Sequence, residues 1–167
     1  IYYYNVQDME DTVNDSVCMN FKDYKPSTLK TGLIGDMVSI YKQNQLGEIN
    51  KRITDDARAI WFDLDTIKKF IYHIEKGVEL NSPDAKQNLG IRFYYASYPE
   101  IAKWSKPEYS DLAGFLSNPK TQNYELKHTL VLLPTIQVGT ADLDFNPLEK
   151  TTYTTGLPKY VKHLNDA

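Results

Sequence analysis

The clearest hydrophobic pattern in the chain lies between residues 63 and 78, where apolar side chains recur every three or four positions. This spacing puts them on one face of an α-helix, and the apolar positions are Leu64, Ile67, Phe70, Ile71, Ile74 and Val78. Asp63 precedes the stripe and is a suitable N-cap, while Gly77 is a residue type that commonly ends helices. The pattern predicts an amphipathic helix over 64–77, whose apolar face needs a surface to cover it.

Three short runs rich in β-forming residues surround this helix: residues 59–62 precede it, and residues 91–95 and 129–133 follow it. Two strands joined through a helix are most simply parallel, so residues 59–95 predict a βαβ unit with a right-handed crossover. The third run has no polar alternation and stops at Pro134, which is typical of a strand in the interior of a sheet.

A second amphipathic pattern covers residues 27–44, with Ser27 as the predicted N-cap. Gly32 and Gly35 interrupt it, and each costs a helix about 1 kcal/mol relative to alanine, which favours close packing of the backbone here. We expect this helix to pack on the sheet or on a partner. The expected fold class is α/β or α+β, with two main helices and a small mixed sheet of at least three strands that contains the βαβ unit.

The length of the chain favours a single domain. Its 167 residues, 41% of them hydrophobic, are enough for one sizeable core, which we expect in about residues 27–135. The two ends, residues 1–26 and 136–167, are more polar and show no sustained periodicity. They indicate segments that wrap the surface or that only a partner orders.

Charge and composition narrow the classes of partner. A net charge of −3 and scattered Lys and Arg residues disfavour nucleic acid. No apolar run approaches the roughly 20 residues that cross a bilayer, so no membrane partner is expected. The single cysteine, Cys18, excludes an intramolecular disulfide, which is consistent with a cytoplasmic location. We expect a soluble cytoplasmic protein.

A long connection, residues 97–127, separates the second and third predicted strands, and connections of this length rarely lack structure of their own. It carries aromatic side chains that include Tyr98, Trp104, Tyr109 and Phe115. Two interpretations remain open. These side chains can fold the connection down onto the domain, which is the simpler interpretation, or they can form the rim of an interaction surface.

Sequence motifs of enzymes are absent: the chain has no Gly-x-Ser-x-Gly elbow, no phosphate loop and no dinucleotide fingerprint. The three histidines have no metal-ligand spacing, and we expect neither a metal nor a cofactor. Three residues close to the predicted strands remain as candidates for binding an anionic ligand, namely Arg58, Arg92 and His128.

Arg92 stands between two apolar residues of a predicted strand, where an unpaired buried charge is very costly. Its guanidinium can pair with a carboxylate such as Asp63 or Glu75, or with backbone carbonyls, as a structural contact. Alternatively, it can bind a small anion beside His128. The structural pairing is preferred, because ligand sites in parallel sheets usually lie at the carboxyl ends of the strands.

Three segments carry a resemblance: Arg-x-x-Trp at residues 58–61, Gly-Ile-Arg at residues 90–92, and a strand that ends in Pro134 and Thr135. In this order, with the amphipathic helix after the first segment, they resemble an uncharacterised family of small bacterial proteins. The resemblance covers the middle of the chain. It implies a βαβ arrangement and a bacterial, cytoplasmic protein, and it implies no catalytic residue.

These observations leave several functions open. The favoured one is a non-catalytic interaction or assembly protein of bacterial origin, with a protein partner or self-association, because catalytic motifs are missing and aromatic side chains are abundant. One alternative is a small enzyme or anionic-ligand binder with a cleft near Arg92 and His128. Another is an antibacterial effector or its immunity partner.

Overall fold

The computed structural model describes residues 25, 28–82 and 87–158 and divides the chain into two compact units. Within the described residues, the first unit takes in residues 61–94 and 130–158. The second takes in residues 25–60 and 95–129. The single domain expected from the sequence stays a prediction. The N-cap Ser27, residues 159–167 and all of residues 1–26 except Lys25 lie outside the described residues.

The described residues combine helices with a small sheet, as the sequence predicts. The helices are α1 (Thr31–Gln43), α2 (Gln45–Ile49), α3 (Leu64–Asn81), α4 (Pro119–Gln122) and α5 (Thr152–Thr155), with 3-10 segments at Ile101–Lys103 and Pro107–Ser117. The strands are β1 (Leu89–Ser97), β2 (His128–Val138) and β3 (Ala141–Asp144).

The three strands form one antiparallel sheet in the order β1-β2-β3. β2 and β3 make a hairpin in which Val138 pairs with Ala141, and Thr135 pairs with Asp144. Gly139 is the first residue of the two-residue turn and has φ of 63°, a conformation that such turns require and that glycine adopts without strain. β2 is therefore the central strand, as its uninterrupted apolar run predicts.

The predicted βαβ unit is wrong. Residues 59–62 are irregular rather than a strand, and the side chain of Trp61 is 82% exposed. No strand precedes α3 within residues 28–63, so the predicted parallel crossover from residues 59–62 does not form. A second correction concerns Pro134, which does not end β2: its carbonyl still accepts the Phe145 N–H at 3.0 Å, so pairing continues on that side.

The core of the first unit lies between α3 and β2. It consists of Phe70, Ile74, Val78, Leu132, Ile136, Phe145 and Tyr153. The α3 residues belong to the predicted apolar stripe, and Asp63 caps the helix by accepting the Thr66 N–H at 2.9 Å. Because Ile136, Phe145 and Tyr153 are core residues, the expectation that residues 136–167 only wrap the surface fails for residues 136–158.

α3 is one turn longer than predicted, since it continues past Gly77 to Asn81. Gly77 serves close packing instead of ending the helix: a Cβ atom there would lie 2.7 Å from the Cβ of Pro147 and 3.0 Å from its carbonyl oxygen. The Asn81 side chain donates to the carbonyls of Gly77 and Pro147 at 3.0 Å each. Tyr153 Oη donates to the Pro147 carbonyl at 2.8 Å and closes this contact.

The second unit contains α1, α2 and the long connection after β1. The aromatic side chains of the connection pack on one another, with Trp104 completely buried at their centre. The Trp104 indole N–H donates to the Pro99 carbonyl at 2.8 Å. Tyr98 stacks on Tyr124 at 5.5 Å between ring centroids, and Phe115 meets Trp104 edge-on at 6.1 Å. The connection therefore has a small aromatic core of its own.

Candidate functional site

Arg92 forms the strongest polar network of the first unit. It lies in β1, and its Nη1 donates to Oδ1 of Asp144 in β3 at 2.5 Å, while its Nη2 donates to the Asp142 carbonyl at 2.7 Å. Tyr94 Oη donates to the second oxygen of Asp144. Since β2 separates β1 from β3, the Arg92 side chain links the two outer strands of the sheet.

Burial, hydrogen bonds and ion pairing shift the pKa values of the side chains in this network. The Asp144 side chain is buried, and the Arg92 side chain is partly buried, with 29% of it exposed. The hydrogen bond with Tyr94 and the charge of Asp144 raise the pKa of Arg92, although burial opposes this. Burial raises the pKa of Tyr94, and the bond from its hydroxyl to Asp144 adds to that rise. Arg92 is thus engaged by a carboxylate, which supports the structural interpretation.

The partner predicted for Arg92 was wrong, however. Neither Asp63 nor Glu75 pairs with Arg92; the carboxylate belongs to Asp144, 52 positions further along the chain. A backbone carbonyl also takes part, as expected. An arginine inside a strand signals that a buried carboxylate exists, but it does not say which one.

His128 forms the principal polar contact of the second unit. It is the first residue of β2, and its backbone N–H donates to Oδ1 of Asp56 at 2.8 Å, while its ring Nδ1 lies at Oδ2 of the same carboxylate. The Asp56 side chain is completely buried, whereas 33% of the His128 side chain is exposed. The carboxylate therefore holds the imidazole from its inner side.

Burial alone would raise the pKa of Asp56, but hydrogen bonds outweigh it and lower that pKa. The donors are the backbone N–H groups of His128 and Ala57 and the His128 ring. Asp56 is consequently ionised at neutral pH, and the proton of a neutral imidazole is held on Nδ1. The opposite ring nitrogen, Nε2, then carries the free lone pair.

Two left-handed residues shape the chain on either side of this contact. Asp55 has φ of 58° and directly precedes Asp56, and Leu126 has φ of 59° two positions before His128. Lys127 Nζ lies 3.8 Å from the Asp55 carboxylate and joins the two segments a second time. A non-glycine residue in this conformation costs free energy, so the surrounding contacts of the second unit hold it in place.

The three predicted ligand residues are thus distributed over the two units. Arg92 is engaged in the first unit, whereas Arg58 and His128 belong to the second, where Arg58 is exposed. The anionic-ligand site stays a prediction. Sequence reasoning missed Asp56 because it stands in a Thr-Asp-Asp turn, 72 positions from His128, and no local pattern signals such a pair.

The aromatic residues predicted as an interaction surface differ in exposure. Trp104 is completely buried, while Tyr98, Tyr109 and Phe115 are partly buried. Their mutual packing supports the simpler interpretation, in which aromatic rings fold the connection into a core. The interaction surface at the partly exposed rings stays a prediction.

α1 is an amphipathic helix of the second unit, and none of its residues is buried. Six apolar side chains on it and just before it are between 47% and 56% exposed: Leu29, Leu33, Ile34, Met37, Val38 and Ile40. At about 100° per residue the five that lie within α1 occupy nearly one half of the helix circumference, and Gly32, Gly35 and Ser39 occupy the other. Leu29 lies just before the N-cap and is counted with the first half. We call the first half the α1 apolar face.

In residues 28–82 and 87–158, no helix combines the length and apolarity needed to cross a bilayer. No cluster of three His, Cys, Asp or Glu side chains in the same ranges could hold a metal ion.

No protein-family model, curated protein or solved structure matches the chain. The resemblance to a bacterial family therefore stays a prediction.

Proposed function

We propose that this protein works by association and that the α1 apolar face is the surface through which two copies join. The observation that carries the proposal is the exposure of this face: five apolar side chains on a helix with no buried residue, and Leu29 just before it, are about half accessible. Isolated helices of this length are marginal in water, and most helical stability comes from packing an apolar face. A covered α1 is therefore more stable than an exposed one.

The accessible area is sufficient for a symmetric pair. Six half-exposed side chains offer roughly 500–600 Å² per copy, or about 1,000–1,200 Å² for two, which reaches the lower range of specific protein interfaces. Because area near this limit gives modest affinity, we expect a dimer with a dissociation constant on the order of micromolar.

The charges of α1 also fit a second copy. Asp36 borders one side of the α1 apolar face and Lys42 lies beyond its other side. When two such helices pack in parallel, the opposite borders of their apolar faces meet, which brings unlike charges together. A self-complementary surface of this kind is what a twofold-symmetric interface requires.

Sedimentation velocity over a concentration range that includes the micromolar region tests the proposal. Met37 lies at the centre of the α1 apolar face, and we expect Met37→Glu to weaken dimerisation at least about tenfold, because two unpaired carboxylates would be desolvated in the interface. Ser39→Glu adds the same charge at the centre of the opposite face and should leave dimerisation unchanged.

Three outcomes would overturn self-association through α1. The first is a wild-type protein that stays monomeric throughout the range, and the second is a dimer that neither substitution affects. The third is a monomer that sediments with neutral phospholipid vesicles in a manner that depends on Met37, which would assign the face to a lipid surface.

A further inference from the structure

The ladder between β1 and β2 places Ser97 opposite His128. Tyr98 N–H donates to the Lys127 carbonyl, and at the far end of the ladder Gln137 N–H donates to the Asn88 carbonyl. In an antiparallel ladder, the numbers of two opposite residues always add up to the same value, and 98 with 127 gives the same sum as 88 with 137. The two strands therefore keep one register from one end of the ladder to the other. In it, Ser97 and His128 form a non-hydrogen-bonded pair, whose side chains share one face with Cβ atoms about 4.5–5.5 Å apart.

A buried carboxylate holds the imidazole of this pair in one orientation. Asp56 accepts a hydrogen bond from Nδ1–H and orients the ring, which leaves the Nε2 lone pair free, and one third of the side chain is exposed. In serine hydrolases a carboxylate fixes the histidine in this way, and the histidine acts as the general base. All three residues belong to the second unit.

Ser97 is exposed, and its hydroxyl donates to the Leu126 carbonyl at 2.7 Å. A rotation about χ1 of Ser97 would release this carbonyl and turn the hydroxyl towards the residue opposite, His128. Its backbone N–H points the other way, because alternate residues of an outer strand direct their N–H groups away from the neighbouring strand. That N–H can donate to an oxyanion beside the hydroxyl.

We propose that Ser97, His128 and Asp56 form a nucleophile, a general base and a positioning residue that hydrolyse small activated carboxylic esters, a function beyond the proposed association. Ser97 Oγ attacks the carbonyl carbon while His128 Nε2 takes the hydroxyl proton and passes it to the leaving alkoxide as the ester C–O bond breaks. His128 Nε2 then takes a proton from water, whose oxygen attacks the acyl carbon. The bond from that carbon to Ser97 Oγ breaks, the carboxylic acid leaves, and the proton returns from Nε2 to Ser97 Oγ. Tyr95, two residues before Ser97 on the same face and 88% exposed, offers an aromatic surface to the ester.

A fluorophosphonate probe tests the nucleophile directly. Attack by Ser97 Oγ on phosphorus expels fluoride, and the resulting adduct is located by peptide mass spectrometry. We expect the wild-type protein to be labelled at Ser97 and Ser97→Ala to lose the adduct. Ser105→Ala removes another exposed serine of the same unit and should keep full labelling. Absence of an adduct at Ser97, or equal labelling of Ser97 and Ser105, would overturn the proposal.

Hydrolysis of p-nitrophenyl acetate tests the other two residues. We expect His128→Gln to lower the rate about a hundredfold, since the general base is lost. Asp56→Asn should lower the rate and also change its pH profile, because the ring is no longer held in one tautomer. Thermal unfolding separates loss of the base from loss of the fold. If folded His128→Gln retains the wild-type rate and labelling, His128 does not act as the base and the proposal fails.

Discussion

α3 and α1 are both amphipathic helices, but they differ in where their apolar faces lie. α3 buries Phe70, Ile74 and Val78 in the core of the first unit. α1 buries no residue, although its apolar side chains occupy a broader part of the circumference. Helical periodicity therefore identifies an apolar face, but it does not tell whether that face packs against the same chain or against another molecule.

This difference has an energetic meaning. A side chain buried in a core has left water and has close neighbours on every side. Truncating it loses the free energy gained by leaving water and also leaves a cavity where the neighbours were in contact. A side chain that is half accessible has gained little on folding. The stability of the isolated chain should therefore depend strongly on α3 and weakly on α1.

Truncating one isoleucine in each helix gives the largest contrast. We expect Ile74→Ala to lower the free energy of unfolding by about 3 kcal/mol, because Ile74 lies in the core and its loss leaves a cavity. Ile40→Ala removes the same atoms from a side chain that is 56% exposed and should change that free energy by less than about 0.5 kcal/mol.

Urea unfolding of both variants, measured at a concentration where the protein is monomeric, checks this contrast. Equal losses in the two variants would show that α1 is covered within the chain. The comparison between the helices would then fail.

The glycines of the two helices provide a sharper contrast, because the same substitution should act with opposite sign. Gly77→Ala places a Cβ against the backbone of Pro147, so we expect a loss of about 1–3 kcal/mol despite the better helix propensity of alanine. Gly35→Ala meets nothing within 4 Å and should stabilise α1 by about 0.5–1 kcal/mol.

Thermal unfolding measures both signs. Gly35 lies opposite the α1 apolar face, so its substitution should not weaken the dimer. Destabilisation by Gly35→Ala would indicate that a neighbour packs closely at this position.

The parts of the fold that follow from local patterns could be predicted. α3, the apolar run of β2 and the β-forming run in β1 each carry their own signal within a few residues. Residues 59–62 show the limit of such signals: a short apolar run with β propensity has the composition of a strand, but it becomes one only if a neighbouring strand pairs with it. The parallel topology was inferred from that run and failed with it.

The sequence predicted that a buried ion pair exists, but it did not predict which residues form the polar contacts. Arg92 within a strand indicated a buried ion pair, yet its partner Asp144 is fixed by the register of the sheet. The pairing of His128 with Asp56 joins segments 72 positions apart, so it depends on the tertiary structure alone. The same holds for Ser97, whose position opposite His128 follows from the antiparallel ladder that the sequence did not reveal.

The smallest expected effect concerns a polar side chain of α3. Burial raises the pKa of Glu75, whose Oε2 is buried and has no hydrogen-bond partner in the described part of the chain. A raised folded pKa contributes stability that is present below the ordinary glutamate pKa of about 4.3 and is lost as the pH rises through the folded value. Glu75→Gln should therefore raise the melting temperature at pH 7, and this gain should shrink towards pH 4. Glu108→Gln makes the same substitution at an exposed position and controls for net charge. If the gain of Glu75→Gln is the same at pH 4 and pH 7, or if Glu108→Gln reproduces it, the burial of α3 has no electrostatic cost at Glu75 and the two helices differ in apolar packing alone.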